Sequence, residues 1–396
     1  MRTKLKENAS ACAMLLKQSH DLYRKSIAHW RQAWQQAISV QNPRRGALYR
    51  IYDDIMADSH LNGAIEQRKH MTLSKNFYLS IDGKQTDEYL GIFNTVWFKN
   101  FMEQCLDSIF YGYSLIELGK VTENGFEYVK VVPREHVCPE YGVILKNEYD
   151  PIKNGIKYTE EPLSKWCIAV GSKDGLGKLL SCCPHAISKR NAQGYWDEFG
   201  QLFGMPVRIA KTASHDKNEI AQVADMLKNM GPAAWGLFPE GTELDLVENG
   251  KGDAFNVFDR RIDRANSEIS KCILGQTMTL DSGSSYSQSE VHLTVLKNII
   301  ERDADMVRDI VNTKLIPLMV DKGILPKVLE FNWNNDTQYT SEQQLQMEQM
   351  LLSAGYEIDP QYFVDKYGVP IKGRKQIDNS QLKIDNSQLT VDSFFA

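Results

Sequence analysis

Residues 274–292 read LGQTMTLDSGSSYSQSEVH, and almost nothing in them can pack. The stretch before them, DAFNVFDRRIDRANSEISKCILG, is an amphipathic helical pattern rich in charge. The stretch after, SQSEVHLTVLKNIIERDADMVRDIVNTKLIPLMV, places Val291, Val295, Ile299, Met306, Ile310 and Leu315 at helical spacing. Ser287 and Glu290 open it with an S-x-x-E capping-box pattern. Helix signals bound the polar stretch on both sides, so it is a loop and not a missed strand. A loop of this length inside a compact domain is either functional or disordered.

The other elements follow from similar cues. Trp30, Ala33, Trp34 and Ile38 predict a helix before Pro43. Leu48, Ile51, Tyr52 and Ile55 form the stripe of the next one. Asp58 or Ser59 caps a third, with Leu61, Ile65 and His70 on its stripe. NFYLSID predicts a strand, and EYLGIFNTVWFKNFMEQCLDSIFY predicts one or two buried helices turning at Gly112. SLIELGKV and FEYVKVV flank Thr122-Glu123-Asn124-Gly125, a hairpin signal. Short strands and turns fill 136–172. A long helix follows Gly175, with Pro184 at its first turn or at a kink. Residues 204–252 then give a strand, a helix ending near Gly231, and two strands around Pro239-Glu240-Gly241. Beyond 322 the signals are a strand at EFNWNND, a helix ending at Gly355, a short helix at YFVDKYGVP, and a polar tail in which IDNSQL occurs at 377–382 and 384–389. The fold class is therefore α+β.

Composition narrows the function. With 396 residues, 42% of them hydrophobic, the chain can bury a large core in two or three domains. A net charge of −5 argues against tight, non-specific DNA binding, which needs a basic surface. Seven cysteines without CxxC spacing predict reduced, intracellular folding. MRTKLKENASACAMLLKQ lacks the apolar core of a signal peptide, and no apolar run reaches membrane-spanning length. These features predict a soluble protein made in the cytoplasm.

Three stretches invite a chemical reading and fail it. GSKDGLGKLL (171–180) looks like a phosphate loop, but its glycine spacing is one residue too long. Leu179 stands where a hydroxyl should reach magnesium, so a glycine turn leading into a helix accounts for it better. CCPH (182–185) has no second ligand pair nearby, which predicts structural cysteines on a packed helix. Asp281, Glu290 and His292 suggest acid–base work, but Glu290 and His292 at i and i+2 point to different helix faces. The alternating charges of RRIDRANSE and ERDADMVRD predict solvated or subunit-facing surfaces. No enzyme and no cofactor or metal are predicted.

The order of parts, and the motifs WDEFGQLFGMPVRIAK (196–211), FPEGTELDLVE (238–248) and ISKCILGQTMTLDSGSSYSQSEVH (269–292), resemble the phage portal proteins, specifically the Mu-like portal family. The resemblance runs over about residues 45–320, and the three motifs stand in the family's order. It implies a homo-oligomeric ring, typically of twelve subunits, at one capsid vertex. Double-stranded DNA passes through such a ring without sequence specificity. The terminase large subunit, a head–tail connector, and the major capsid and scaffold proteins are the implied partners, and the virion is the implied location.

Laid on this chain, the resemblance implies a helical arm (1–45), a wing (46–178) and a long helix leading into the stem (179–203). A clip (204–252) and a second stem helix (253–274) come next. They are followed by a tunnel loop (275–288), a long wing helix (289–322) and a C-terminal wing with reduced crown and flexible tail (323–396). The DNA-facing residues would be Gln276, Thr277, Thr279, Asp281, Ser282, Gly283, Ser284, Ser285, Tyr286 and Ser287. Val207, Ile209, Trp235, Leu237 and Glu240 would form the docking clip, and Arg260, Arg261, Arg264 and Glu268 the stem surface. Two rival readings stand beside this one: a nucleotide-driven packaging or DNA-processing enzyme, and a monomeric head–tail adaptor or scaffold.

Overall fold

The computed structural model describes residues 26–203, 208–213, 216–229, 235–239, 254–277, 286–334, 341–356 and 359–368. It divides into two units, 1–334 and 335–396.

The first unit opens with α1 (Ile27–Ala37), α2 (Gly46–Ile55) and α3 (Ser59–Leu73). Ser26 and His29 close a capping box on α1. Asp58 caps α3 by accepting from the His60 and Leu61 amides. The α2 stripe Leu48, Ile51, Tyr52, Ile55 is buried as its spacing predicts, and so are Leu61 and Ile65 of α3. His70 is exposed instead, and the buried positions after Ile65 are Arg68, Lys69 and Thr72.

Next come β1 (Phe77–Ile81), β2 (Lys84–Thr86), α4 (Leu90–Phe93) and α5 (Val96–Tyr111). Gly112 ends α5 in the left-handed conformation. β3 (Tyr113–Leu118) is the middle strand of an antiparallel sheet with β6 (Val129–Val131) and β10 (Cys167–Gly171). Between β3 and β6 lies the predicted hairpin, β4 (Val121–Thr122) with β5 (Gly125–Phe126), in register Thr122↔Gly125. The turn residues are thus Glu123 and Asn124, and the Asn124 carbonyl accepts from the Trp97 indole at 2.8 Å. β7 (Val137–Cys138), β8 (Val143–Ile144) and β9 (Ile156–Lys157) make a small antiparallel sheet.

The long α6 (Leu179–Phe203) follows with Pro184 inside it, not at its first position. β11 (Arg208–Thr212), α7 (Lys217–Asn229) and β12 (Trp235–Pro239) form a parallel βαβ unit. The second strand expected after Glu240 lies outside the described residues. α8 (Ala254–Leu274) then packs on α6 in the most extensive element-to-element contact among the described residues.

α9 (Tyr286–Ile310) starts ahead of Ser287, so Ser287 is not its N-cap, and the cap position lies outside the described residues. Its buried stripe is Leu296, Ile300, Asp303, Ala304, Val307 and Ile310; Val295 is exposed and Ile299 flanks the stripe. The helix continues through a π turn (Val311–Leu315) into α10 (Ile316–Asp321). Pro317 accounts for the wide turn: its ring collides with the carbonyl four residues back in a regular helix. Asn312, in that turn, donates to the Phe331 carbonyl at 2.9 Å and accepts from its amide at 2.8 Å. Phe331 belongs to β13 (Glu330–Trp333), which joins β1 and β2 in the order β13-β1-β2.

Two large cores result. One sets α5 and its Phe98 and Phe101 against Phe331, Trp333 and the end of α9. The other gathers α1, α2, α3, α6, α8 and the first half of α9 around Tyr52, Ile65, Ile187, Ile273 and Leu296. The second unit holds α11 (Ser341–Ser353) and α12 (Pro360–Tyr367), the latter ended by left-handed Gly368. Glu348 of α11 pairs with Lys366 and accepts from the Tyr362 hydroxyl at 2.9 Å.

The glycines of the false phosphate loop have a packing role. A Cβ on Gly177 would lie 2.0 Å from the Phe110 carbonyl oxygen, and one on Gly112 would lie 2.4 Å from that of Gly175. Both residues have positive φ, 74° and 90°, so the stretch is a crossing of two backbones that admits no side chain. Gly177→Ala is therefore expected to cost at least about 1–3 kcal/mol. Gly63→Ala, on an open face of α3, should be stabilising by about 0.5–1 kcal/mol. Chemical denaturation of both variants measures the contrast, and equal effects would contradict the crossing.

Candidate functional site

The polar stretch leaves the fold at the end of α8, where a helix has carbonyls without intrahelical partners. Two cations satisfy them here. Arg68 Nη1 donates to the Ile273 oxygen at 2.6 Å, and Lys178 Nζ donates to the Cys272 oxygen at 3.1 Å. The Gly275 amide closes on Lys271 at 3.1 Å, with Gly275 at φ 73°. Positive charge at a helix C-terminus also opposes the macrodipole.

The rest of the Arg68 guanidinium grips α9. Its Nε and Nη2 reach the two carboxylate oxygens of Asp303 at 2.6 and 2.8 Å, with both side chains 5% exposed. The Phe110 ring lies 5.6 Å below the guanidinium carbon. One turn earlier, His60 Nε2 meets the Ser270 hydroxyl at 2.8 Å. One buried arginine thus ties α3, the end of α8 and the middle of α9 together at the root of the loop.

Lys69, the next residue, faces another way. It pairs with Glu66, Glu103 and Asp107 at 3.2, 2.9 and 3.2 Å. Burial pushes its ammonium towards neutrality, but Asp107, Glu103 and Glu66 outweigh that and hold its pKa above the ordinary lysine range. A raised lysine pKa stabilises the fold below the unfolded value and loses that contribution only as pH rises through the folded value, in strong alkali. A second group of ion pairs fastens α6: Lys189 to Asp58 at 2.9 Å and Arg190 to Asp54 at 2.8 Å. Asp58 therefore caps α3 and holds α6 at once.

Of the residues assigned to the loop, Gln276 is buried, at 4% exposed, and neither of its amide atoms has a hydrogen-bond partner among the described residues. Its side chain belongs to the root and not to the polar surface. Thr277 is half-buried. Thr279, Asp281, Ser282, Gly283, Ser284 and Ser285 lie outside the described residues, and Tyr286 and Ser287 are placed only as the first backbone turn of α9.

On the stem helices, Arg260 and Arg264 are exposed. Arg261 instead bonds within the chain, its Nε and Nη2 reaching Ser188 of α6 at 3.0 and 2.6 Å. Glu268 pairs with Lys271 at 3.0 Å, which holds its carboxyl below the usual range. In the βαβ unit Ile209 stands opposite Gly236, and Trp235 opposite Arg208. Leu237 is half-buried and Leu227 of α7 is buried. Val207 and Glu240 fall outside the described residues.

The root itself went unread in the sequence. Arg68 and Asp303 sit on the apolar stripes of their helices, at helical spacing from Ile65 and Ile300. A charge on a buried stripe was the available signal. The expectation that the carboxylates of ERDADMVRD face solvent or a neighbouring subunit fails at Asp303, because Arg68 supplies a partner from 235 residues away. Among the described residues no three His, Cys, Asp or Glu side chains converge as metal ligands would, and no helix is long and apolar enough to cross a membrane. What the arrangement does is mechanical: it fixes where the chain departs from α8.

A protein-family model described as the portal protein of Mu bacteriophage matches residues 49–369. Two solved structures align with 87% of this chain. The neck of an empty gene transfer agent particle, computed with C6 symmetry, is 12% identical, is covered over 98% of its own chain and gives a TM-score of 0.50. The virion of a native gene transfer agent particle is 11% identical, is covered over 99% and gives 0.48. At such identity the likeness to the neck chain concerns the fold alone. No curated protein sequence matches the chain.

Removing one member of the buried pair strands the other. Arg68→Ala should cost about 3–5 kcal/mol, and Asp303→Ala a similar amount. Arg68→Met combined with Asp303→Leu should recover most of the loss, because no charge is then left buried. Thermal unfolding of the single and double variants gives the comparison; a double variant as unstable as the worse single would contradict this account.

Proposed function

The chain belongs to the portal protein family of Mu bacteriophage, and from that membership we propose that it assembles into a ring, typically of twelve copies. The ring surrounds a channel for double-stranded DNA at one capsid vertex. Residues 275–288 face the channel as a tunnel loop, and α6 and α8 form the stem. The βαβ unit within 204–252 is the clip, where a terminase docks during packaging and a head–tail connector docks later. Capsid and scaffold proteins contact the wing, 46–178 and the C-terminal part. The ring performs no catalysis; ATP is hydrolysed by the separate terminase.

One observation carries the reading: a loop without grip hangs from a root without play. Residues 275–288 contain no Lys or Arg, and Asp281 is their only charge. Phosphates find no counter-charge there, so DNA slides past it rather than binding. The α8 end is meanwhile held by Arg68 and Lys178. In this reading Arg260 and Arg264, which are exposed, meet neighbouring copies, where each contact is repeated around a closed ring. The parallel βαβ unit is too small to be stable alone and leans on its neighbours in the ring.

Negative-stain images of the purified protein test the assembly: rings with a central hole are expected. Single particles without a hole would favour a monomeric adaptor, and ATPase activity of the pure protein would favour an enzyme. Shortening 278–285 should leave the rings intact while packaging falls. Ser284→Lys, Ser285→Lys and Ser287→Lys together should make DNA passage slower at low salt and restore it as salt rises, through counterion release. Salt-independent passage through the triple variant would remove the loop from the channel.

A further inference from the structure

The clamp on α8 ends just before the polar stretch begins. Arg68 and Lys178 hold the carbonyls of Ile273 and Cys272, and the Gly275 amide closes on Lys271 at 3.1 Å. Gly275 then turns the chain at φ 73° and lays it on α9. A Cβ there would stand 2.7 Å from Ile299 Cδ1 and 3.2 Å from Val295 Cγ1. These two residues lie beside the buried stripe of α9, and the core does not cover them: Val295 is 38% exposed and Ile299 half-buried.

The next residue, Gln276, is almost fully enclosed, yet neither its carboxamide oxygen nor its nitrogen has a hydrogen-bond partner among the described residues. Other buried side chains there leave one polar atom unpaired; Gln276 alone leaves two. Asn312 shows the satisfied case in the same chain, with oxygen and nitrogen both bonded to Phe331. A carboxamide offers two donors and an accepting oxygen, and water satisfies them all. Burying it dry costs at least as much as burying its two methylenes returns. Packing against α9 thus holds this side chain in, while its own chemistry favours water.

We propose that Gln276 is a release latch at the root of the loop. In the closed state, the one described here, residues 275–277 lie on α9. In the released state they lift away, the Gly275 amide gives up the Lys271 carbonyl, and the Gln276 carboxamide bonds to water. Glycine at 275 serves both states, because positive and negative φ are equally open to it. α8 itself stays in place, since Arg68 and Lys178 hold it as far as Ile273. Release frees three residues, which adds at most about 10 Å of reach to the stretch that follows. The latch does not rest on the channel reading; in a channel it would let each copy's loop lengthen or shorten against the duplex.

Hydrogen exchange of the full-length protein tests the latch without DNA, resolved to single amides by mass spectrometry with electron-transfer fragmentation. Gly275 is the reporter, and the amides of residues 269–273 within α8 are the reference. Gln276→Met keeps the length of the side chain and removes the amide. It should slow Gly275 exchange at least about tenfold, the factor that about 1.4 kcal/mol makes in an equilibrium, and leave the reference amides unchanged. Gln276→Glu places a carboxylate that cannot stay dry, so it should fold in the released state and speed Gly275 exchange by a similar factor at neutral pH. Gly275 exchange that is unchanged or faster in Gln276→Met would show that the amide has a partner, a buried water included, and would overturn the proposal. A Gln276→Glu variant that unfolds, or whose Gly275 exchanges as slowly as in the wild type, would overturn it as well.

Discussion

The guanidinium of Arg68 is the point on which the middle of this molecule turns. From α3 its donors reach one of the last carbonyls of α8 and a carboxylate on α9, so three helices are held together. Such a pair adds little net stability over an apolar substitute, because both charges must leave water. What it does provide is direction. A guanidinium is planar, and its fork donates to a carboxylate in one orientation. Leucine at the same place would fill the volume and leave the rotation and register of α8 against α9 less determined. Lys178, in the turn that leads into α6, donates to the Cys272 carbonyl, so the end of α8 is held from two sides.

How much of this could be read in the sequence depends on whether the cause was local. The cap at Asp58, the α2 stripe, the hairpin at Asn124 and the helix stop at Gly112 rest on residues within a few positions of each other. Those were legible. Arg68 with Asp303, Arg45 with Glu140 and Lys189 with Asp58 rest on partners far apart in the chain. No periodicity reveals them. Ile310 and Leu315 are buried as their spacing predicts, but in the first half of α9 the buried stripe lies one position further on, for a related reason. Val295 and Ile299 keep helical spacing as well as Leu296 and Ile300 do, and only the position of α3 and α8 decides which pair is covered. At the loop, composition was informative about what the segment lacks, while its root stayed hidden because it is built from side chains of other elements. Gln276 shows the boundary, since it is polar in sequence and buried in place.

The glycines at 171–177 carry a related lesson about motifs. A phosphate loop and a backbone crossing both demand small residues and positive φ, so glycine spacing alone does not separate them. The distinction lies in what occupies the space above the glycine, and here it is the backbone around Phe110 and Gly112. The long helix α6 therefore starts from a fixed crossing.

Asn312 has a consequence outside its own protomer. β13 is the last strand of its sheet, and an unpaired strand border is a template on which another chain can add a strand. The side-chain amide of Asn312 occupies both backbone groups of Phe331 on the side away from β1, imitating the neighbour that is not there. For a solitary protein that is a small precaution. In the ring proposed above, illicit strand exchange between copies would compete with correct assembly at every encounter. A single amide in a widened helical turn removes that competitor from one border of the sheet, and it does so before any two copies meet.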